Sequence, residues 1–210
     1  MKRQGRGTII ADDKSTFEGF WYNDKANGRG RMIYADGGIY EGNWIDGRHN
    51  GYGVFSCIDG VKYHGNWCDN QMHGKGEEEW PDGTKYVGDF KKGKKSGKGI
   101  FNWPDGSSYD GALIDGKFQG FGVYTWAIEG RTYSGHWQKS RMHGQGTLEY
   151  ADGRKFNGTF VKGKKHGTGC FEWADGRKYR GAYNYDVKQG YGIFEWPDGR
   201  KYVGNWLRGK

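Results

Sequence analysis

A period of 23 residues runs through the chain and limits its fold more than any other feature. From Phe17, an aromatic residue followed two positions later by glycine recurs at Tyr40, Tyr63, Tyr86, Tyr109, Tyr133, Phe156, Tyr179 and Tyr202, with one residue inserted before Tyr133. With that aromatic numbered zero, glycine fills +2, +11, +13 and +20 of every repeat, and these slots hold 35 of the 41 glycines. Position +4 is a ring in every repeat but one, where it is Leu113, and +17 is a ring except at Cys57. Asp fills +19 except in the repeat with the insertion. A unit this short cannot bury an apolar face alone, so neighbouring units must stack into one continuous array.

Within each unit the period is two. Positions 0, +2 and +4 alternate with polar neighbours, as do +11, +13, +15 and +17, which predicts two strands per repeat. Between +17 and the next zero lies Pro-Asp-Gly or Ala-Asp-Gly plus two residues, as in WPDGRKY (196–202). Pro presets φ, Asp caps its own turn and Gly supplies a positive φ, so this is a hairpin turn. Pairing Trp196 with Tyr202 would set Phe194 against Gly204 and Gly192 against Trp206. Each large ring would then lie over a glycine, on one face of the sheet. The other face carries Glu41, Asn43, Asp89, Glu149 and Glu172. A mean hydropathy of −1.02 and so much glycine would suit disorder, but an aromatic content of 17% in strict register argues for order.

The expected fold is all-β. It is an elongated single-layer antiparallel sheet of tandem 23-residue hairpins, a twisted and curved rod with an aromatic-lined groove. Nine hairpins give 18 strands, roughly 85 Å of sheet at about 4.8 Å per strand. The period leaves no room for a helical layer or a linker, so residues 1–210 are expected to form a single domain. Unpaired strand edges at the two ends would favour a homodimer or capping by another chain.

The pattern YxGxW–x6–GxGxFxWxDGxx resembles the MORN repeat (membrane occupation and recognition nexus), with YHGNWCDNQMHGKGEEEWPDGTK (63–85) as a representative line. The resemblance covers Gly5 to Lys210. It departs at the histidine before the +11 glycine, present only at His73, His143 and His166, and at Cys57. The resemblance implies a scaffold. MORN proteins occur in axonemal radial spokes, in cortical and basal cytoskeletal complexes and at membrane junctions. They also precede the catalytic domains of lipid kinases and methyltransferases. Their grooves hold a helix or an extended peptide, and phospholipid binding is often ascribed to them.

No catalytic constellation stands out. GxSxG, GxxxxGK[ST] and HExxH are missing from the sequence, and the GxG pairs lie in strands rather than before helices. No enzymatic activity and no cofactor are expected. One Asp per repeat, about 10 Å from the next, cannot supply the six to eight oxygens that calcium takes. His143 and His166, equally far apart, cannot share a zinc ion, so no metal site is expected and these histidines should bond within their loops. Three cysteines, Cys57, Cys68 and Cys170, without a CxxC suggest a reduced, intracellular setting. MKRQGRG does not begin a signal peptide, and no apolar run approaches the roughly 18 residues of a membrane span.

Two features point to binding. The aromatic face has nothing to cover it, so Trp67, Trp80, Trp103, Trp126, Trp137, Trp173 and Trp196 are expected to line a groove for a helix or extended peptide. The net charge is +8. Lys91, Lys92, Lys94, Lys95 and Lys98 crowd one inter-strand loop, and Lys162, Lys164 and Lys165 another. These lysines are the candidate site for anionic partners, either acidic cytoskeletal proteins such as tubulin tails or anionic lipid. Arg154-Lys155, Arg177-Lys178 and Arg200-Lys201 would add a ladder of charge. Nucleic acid is not expected, because strand pairing already accounts for the rings. The leading reading is a non-enzymatic cytoplasmic scaffold of the cytoskeleton, in a ciliary or flagellar axoneme (radial-spoke-like) or a cortical complex. The alternative is a peripheral membrane adaptor that binds anionic phospholipid through its basic loops. A third is the regulatory part of an enzyme.

Overall fold

A computed structural model describes residues 2–210. Every regular element among them is a strand, and the chain falls into two compact units, one ending at Pro104 and one spanning Asp105–Lys210. The first unit comprises β1 (Gly5–Ile10), β2 (Thr16–Tyr22), β3 (Lys25–Ile33), β4 (Ile39–Ile45), β5 (Arg48–Ser56), β6 (Lys62–Cys68), β7 (Gln71–Glu79), β8 (Lys85–Lys91) and β9 (Lys94–Asn102). The second comprises β10 (Ser108–Ile114), β11 (Lys117–Trp126), β12 (Arg131–Gln138), β13 (Arg141–Glu149), β14 (Lys155–Val161), β15 (Lys164–Glu172), β16 (Lys178–Asn184), β17 (Val187–Glu195) and β18 (Lys201–Trp206). In each unit every strand pairs antiparallel with the next, the all-β hairpin meander that the period predicts. No helix among the described residues is long and apolar enough to cross a membrane.

Two kinds of turn alternate. The five-residue turn is the one read from WPDGRKY. Trp196 N donates to Arg200 O at 2.9 Å and Gly199 N to Trp196 O at 3.0 Å, while Asp198 Oδ1 accepts from Arg200 N at 3.1 Å. The same Asp cap holds at Asp36, Asp59, Asp82, Asp105, Asp152 and Asp175. The second turn corrects the sequence reading. The segment expected to be a lysine-rich loop is a tight two-residue turn with positive φ at both positions, as at Lys92 (51°) and Gly93 (75°). Such turns follow the natural twist of the flanking strands.

The expected register is also corrected. Trp196 is used up in the turn, so Phe194, not Trp196, faces Tyr202; Gly192 faces Gly204 and Gly190 faces Trp206. Glycine therefore meets glycine, and the ring at position zero lies across both. At Gly42 an added Cβ would come within 2.6 Å of both Tyr40 Oη and the Gly53 Cα, and at Gly111 within 2.5 Å of Tyr109 Oη. In the hairpins closed by the tight turn the register shifts next to the glycine pair, as between Gly42 and Trp44. The facing strand accommodates the shift at the +11 glycine, which needs a positive φ, 70° at Gly51.

Candidate partner-binding face

The floor of the aromatic face is a ladder of edge-on rings. Each +4 ring packs against the zero ring of its own repeat and that of the repeat before. In the first unit Trp44 lies 5.2 Å from Tyr40 and 5.0 Å from Phe17. In the second, Phe160 lies 5.2 Å from Phe156 and 5.1 Å from Tyr133. Edge-to-face pairs of this kind add about 0.5–1.5 kcal/mol each beyond their burial. Four indole N–H groups of the ladder reach backbone, among them Trp67 Nε1, which donates to Gly53 O at 3.2 Å, and Trp137 Nε1, which donates to Gly122 O at 3.0 Å, while the buried Nε1 of Trp206 has no partner. The zero-position tyrosines donate their hydroxyls to the carbonyl three residues on, as Tyr133 to His136 O at 2.9 Å. Burial pushes the Tyr86 and Tyr133 hydroxyls up to about 12, so they stay protonated donors.

This floor sorts the tryptophans predicted to line a groove. Trp67 and Trp137 are buried ladder rings at +4. Trp80, Trp103, Trp126, Trp173 and Trp196, all at +17, are half-exposed on the same face. Arginines lie against several +17 rings: Arg131 over Trp126 at 4.4 Å, Arg154 over Tyr150 at 4.8 Å and Arg177 over Trp173 at 5.5 Å. The expected ladder of positive charge is not left open. Arg154, Arg177 and Arg200 each pair with the Asp of their own turn, and Lys155, Lys178 and Lys201 with Glu149, Glu172 and Glu195.

Position +9 is a site residue that the sequence reading missed. It points into the aromatic face, beside the zero ring. It holds Ala26, His49, Met72 and Lys95 in the first unit, and Phe118, Met142, Lys165 and Lys188 in the second. His49 stacks on Tyr40 at 3.6 Å and 9°, and Phe118 on Tyr109 at 3.6 Å and 11°. Burial pushes His49 down to about 4, while its Nε2 shares a 2.8 Å hydrogen bond with Tyr34 Oη and its Nδ1 has no partner. Where Ala26 is too small to fill the slot, an apolar hollow of about 560 Å³ opens between Phe17, Met32, Tyr34, Trp44 and His49.

The same geometry divides the predicted lysines. Lys91, Lys92, Lys94 and Lys98 are exposed on or near the Lys92–Gly93 turn, as are Lys162 and Lys164 around Lys162–Gly163. Lys95 and Lys165 turn inward and are half-buried. Lys95 pairs with Glu78 and lies 4.6 Å from the Trp80 ring centre. Lys165 lies 5.3 Å from Phe171 and 5.5 Å from Phe156. Lys188, absent from the sequence prediction, sits among Trp173, Tyr179, Phe194 and Trp206 at 4.7–4.9 Å. The histidines expected to bond in their loops include His166, which packs 4.6 Å from Tyr185 and leaves a buried Nδ1 without a partner.

The family model for the MORN repeat matches eight consecutive segments: 17–39, 40–62, 63–85, 86–108, 109–131, 133–153, 156–176 and 179–199. No curated protein matches the chain. Several solved structures are similar. The G-box domain of the microcephaly protein CPAP, for which a role in centriole elongation has been suggested, is 12% identical at a TM-score of 0.48, over 97% of this chain and 100% of that one. A mutant TCP10 domain of Danio rerio CPAP is 12% identical at 0.45, over 96% and 99%. The Drosophila melanogaster SAS-4 TCP domain, in complex with a proline-rich motif of Ana2, is 13% identical at 0.40, over 96% and 90%.

Proposed function

The chain belongs to the MORN-repeat family, and from that premise we propose that it is a non-catalytic scaffold whose aromatic face holds protein partners in cytoskeletal assemblies. One observation carries the reading: the row of half-exposed +17 rings above a floor of buried zero and +4 rings. The zero and +4 rings pack on one another beneath them, and the outer rings keep part of their surface open to a partner. Exposed aromatic rows of this kind suit a helix or an extended peptide. The family resemblance supports an axonemal, radial-spoke-like or cortical location in the cytoplasm. Single-layer hairpins with open edges also suit end-to-end dimers or capping by another chain.

Capture from the source cells tests this. Replacing Trp173 and Trp196 by Ala, with the fold checked by circular dichroism, is expected to abolish retention of co-purifying partners; unchanged retention sinks the reading. Extraction with non-ionic detergent and then high salt tests the location, and a scaffold built into the cytoskeleton stays in the pellet through both.

The exposed lysines favour a second reading. Lys91, Lys92 and Lys94 at one turn, and Lys162 and Lys164 at another, would dock an anionic phospholipid surface, with binding that falls steeply as salt rises. Charge reversal at these five positions is expected to release the protein from anionic liposomes. Release of the protein from cells by detergent alone would favour this reading over the cytoskeletal one.

A further inference from the structure

One inward position is solved differently in the two units. Lys95 and Lys188 occupy the same +9 slot, each cross-strand from the +4 ring, Phe90 and Tyr183 respectively. In the first unit Lys95 is answered by Glu78, which stands opposite Tyr86 in the neighbouring strand. In the second unit the residue in Glu78's place is Leu148 for Lys165, opposite Phe156, and Phe171 for Lys188, opposite Tyr179. Among the described residues no carboxylate pairs with Lys165 Nζ or Lys188 Nζ; two rings lie near the first and four around the second. Rings offer a cation about 0.5–2 kcal/mol but accept none of the three ammonium hydrogens. Burial pushes both amines below the usual lysine range, in the case of Lys165 against the attraction of Asp186, whose carboxylate accepts from the Lys165 backbone N–H at 2.9 Å.

Lys165 and Lys188 lie in equivalent slots of successive repeats, two strands or about 10 Å apart. Two residues seven apart on a helix are separated by about 10.5 Å along its axis. Resting on the aromatic-face reading above, we infer that the second unit binds an acidic amphipathic helix, whose apolar side covers Trp173 and Trp196 while two carboxylates seven residues apart pair with Lys165 and Lys188. The partner's carboxylates do there what Glu78 does for Lys95. The first unit, already neutralised at this slot, does not select for acid in the same way.

The test is fluorescence anisotropy on the full chain with a labelled Leu- and Ala-rich helical peptide carrying two glutamates seven residues apart, beside the same peptide with glutamines. The glutamate peptide is expected to bind, and the glutamine peptide about tenfold or more weakly, as for loss of a partly buried ion pair. Lys165→Met with Lys188→Met should erase the difference between them. Phe171→Glu, which supplies an internal carboxylate as in the first unit, should weaken the glutamate peptide while keeping the fold. Equal binding of the two peptides overturns the acidic specificity; if Trp173→Ala with Trp196→Ala weakens both, the aromatic-face reading survives. Binding of neither peptide also overturns the inference, and capture of cellular partners then decides the broader reading by itself. Lysine-dependent binding to phosphatidylserine vesicles without peptide binding would assign the amines to lipid instead.

Discussion

His49 and Phe118 sit in the same pocket of two different units. Each stacks 3.6 Å from a tyrosine over a glycine pair, with that tyrosine's hydroxyl on the carbonyl three residues on. The frame is the same in both, yet one ring takes a proton and the other cannot. The repeat thus separates two jobs. Positions 0, +2, +4 and +13 build a fixed lattice, and +9 is a free slot in which each unit writes its own chemistry.

The comparison breaks if the frame is not shared. Gly42→Ala and Gly111→Ala each drive a methyl within 2.6 Å of the facing glycine's Cα and of the hydroxyl of a fully buried tyrosine, so each should cost about 3 kcal/mol, at the upper end for overpacking. Urea denaturation reads this, and a large cost in one unit with none in the other would refute a common lattice.

The next effect separates the contents of the slot. His49 is held neutral, its folded value near 4 against 6.5. Its contribution is complete above the unfolded value. It falls as pH drops from 6.5 towards 4, because the unfolded chain takes up the proton first. About 3 kcal/mol should be lost over that window, and the slope should flatten below it. His49→Phe, which copies the second unit, should remove this acid sensitivity, as followed by thermal unfolding at a series of pH values. If the slope is the same in the variant, His49 is not its source.

Smaller effects sharpen the picture. Tyr34→Phe strips the 2.8 Å hydrogen bond from His49 and should cost about 1 kcal/mol at neutral pH. Arg177→Ala removes an exposed pair with Asp175 and should change unfolding by less than about 0.5 kcal/mol. A loss of several kcal/mol there would mean that the stacking on Trp173 supports the fold and not only a surface.

Much of this was legible in the chain. Glycine at +2 and +13 announced strands on which rings must lie, and Asp at +19 announced the turn, because in both cases the residue type is dictated by backbone geometry. The register was misread by two residues because Trp196 looks like a cross-strand partner but closes the turn. Position +9 was invisible for a different reason. Ala, His, Met, Lys and Phe share no polarity, so no period shows. Only the tight turn at +6 and +7, too short to look like a strand connection among so many polar residues, brings that slot onto the aromatic face. The lysines were read as one patch because sequence proximity hides alternation: Lys94 points out and Lys95 points in.

The two-strand repeat also sets a ruler against whatever lies on it. The lattice advances about 9.6 Å per repeat, and a heptad of helix about 10.5 Å. A straight helix crossing the strands therefore slips by about 0.9 Å at each step, and after four repeats by more than the length of a hydrogen bond. The surface thus acts as a vernier. A helix lying on it as proposed would keep step over only a few repeats unless its own spacing were corrected along the way.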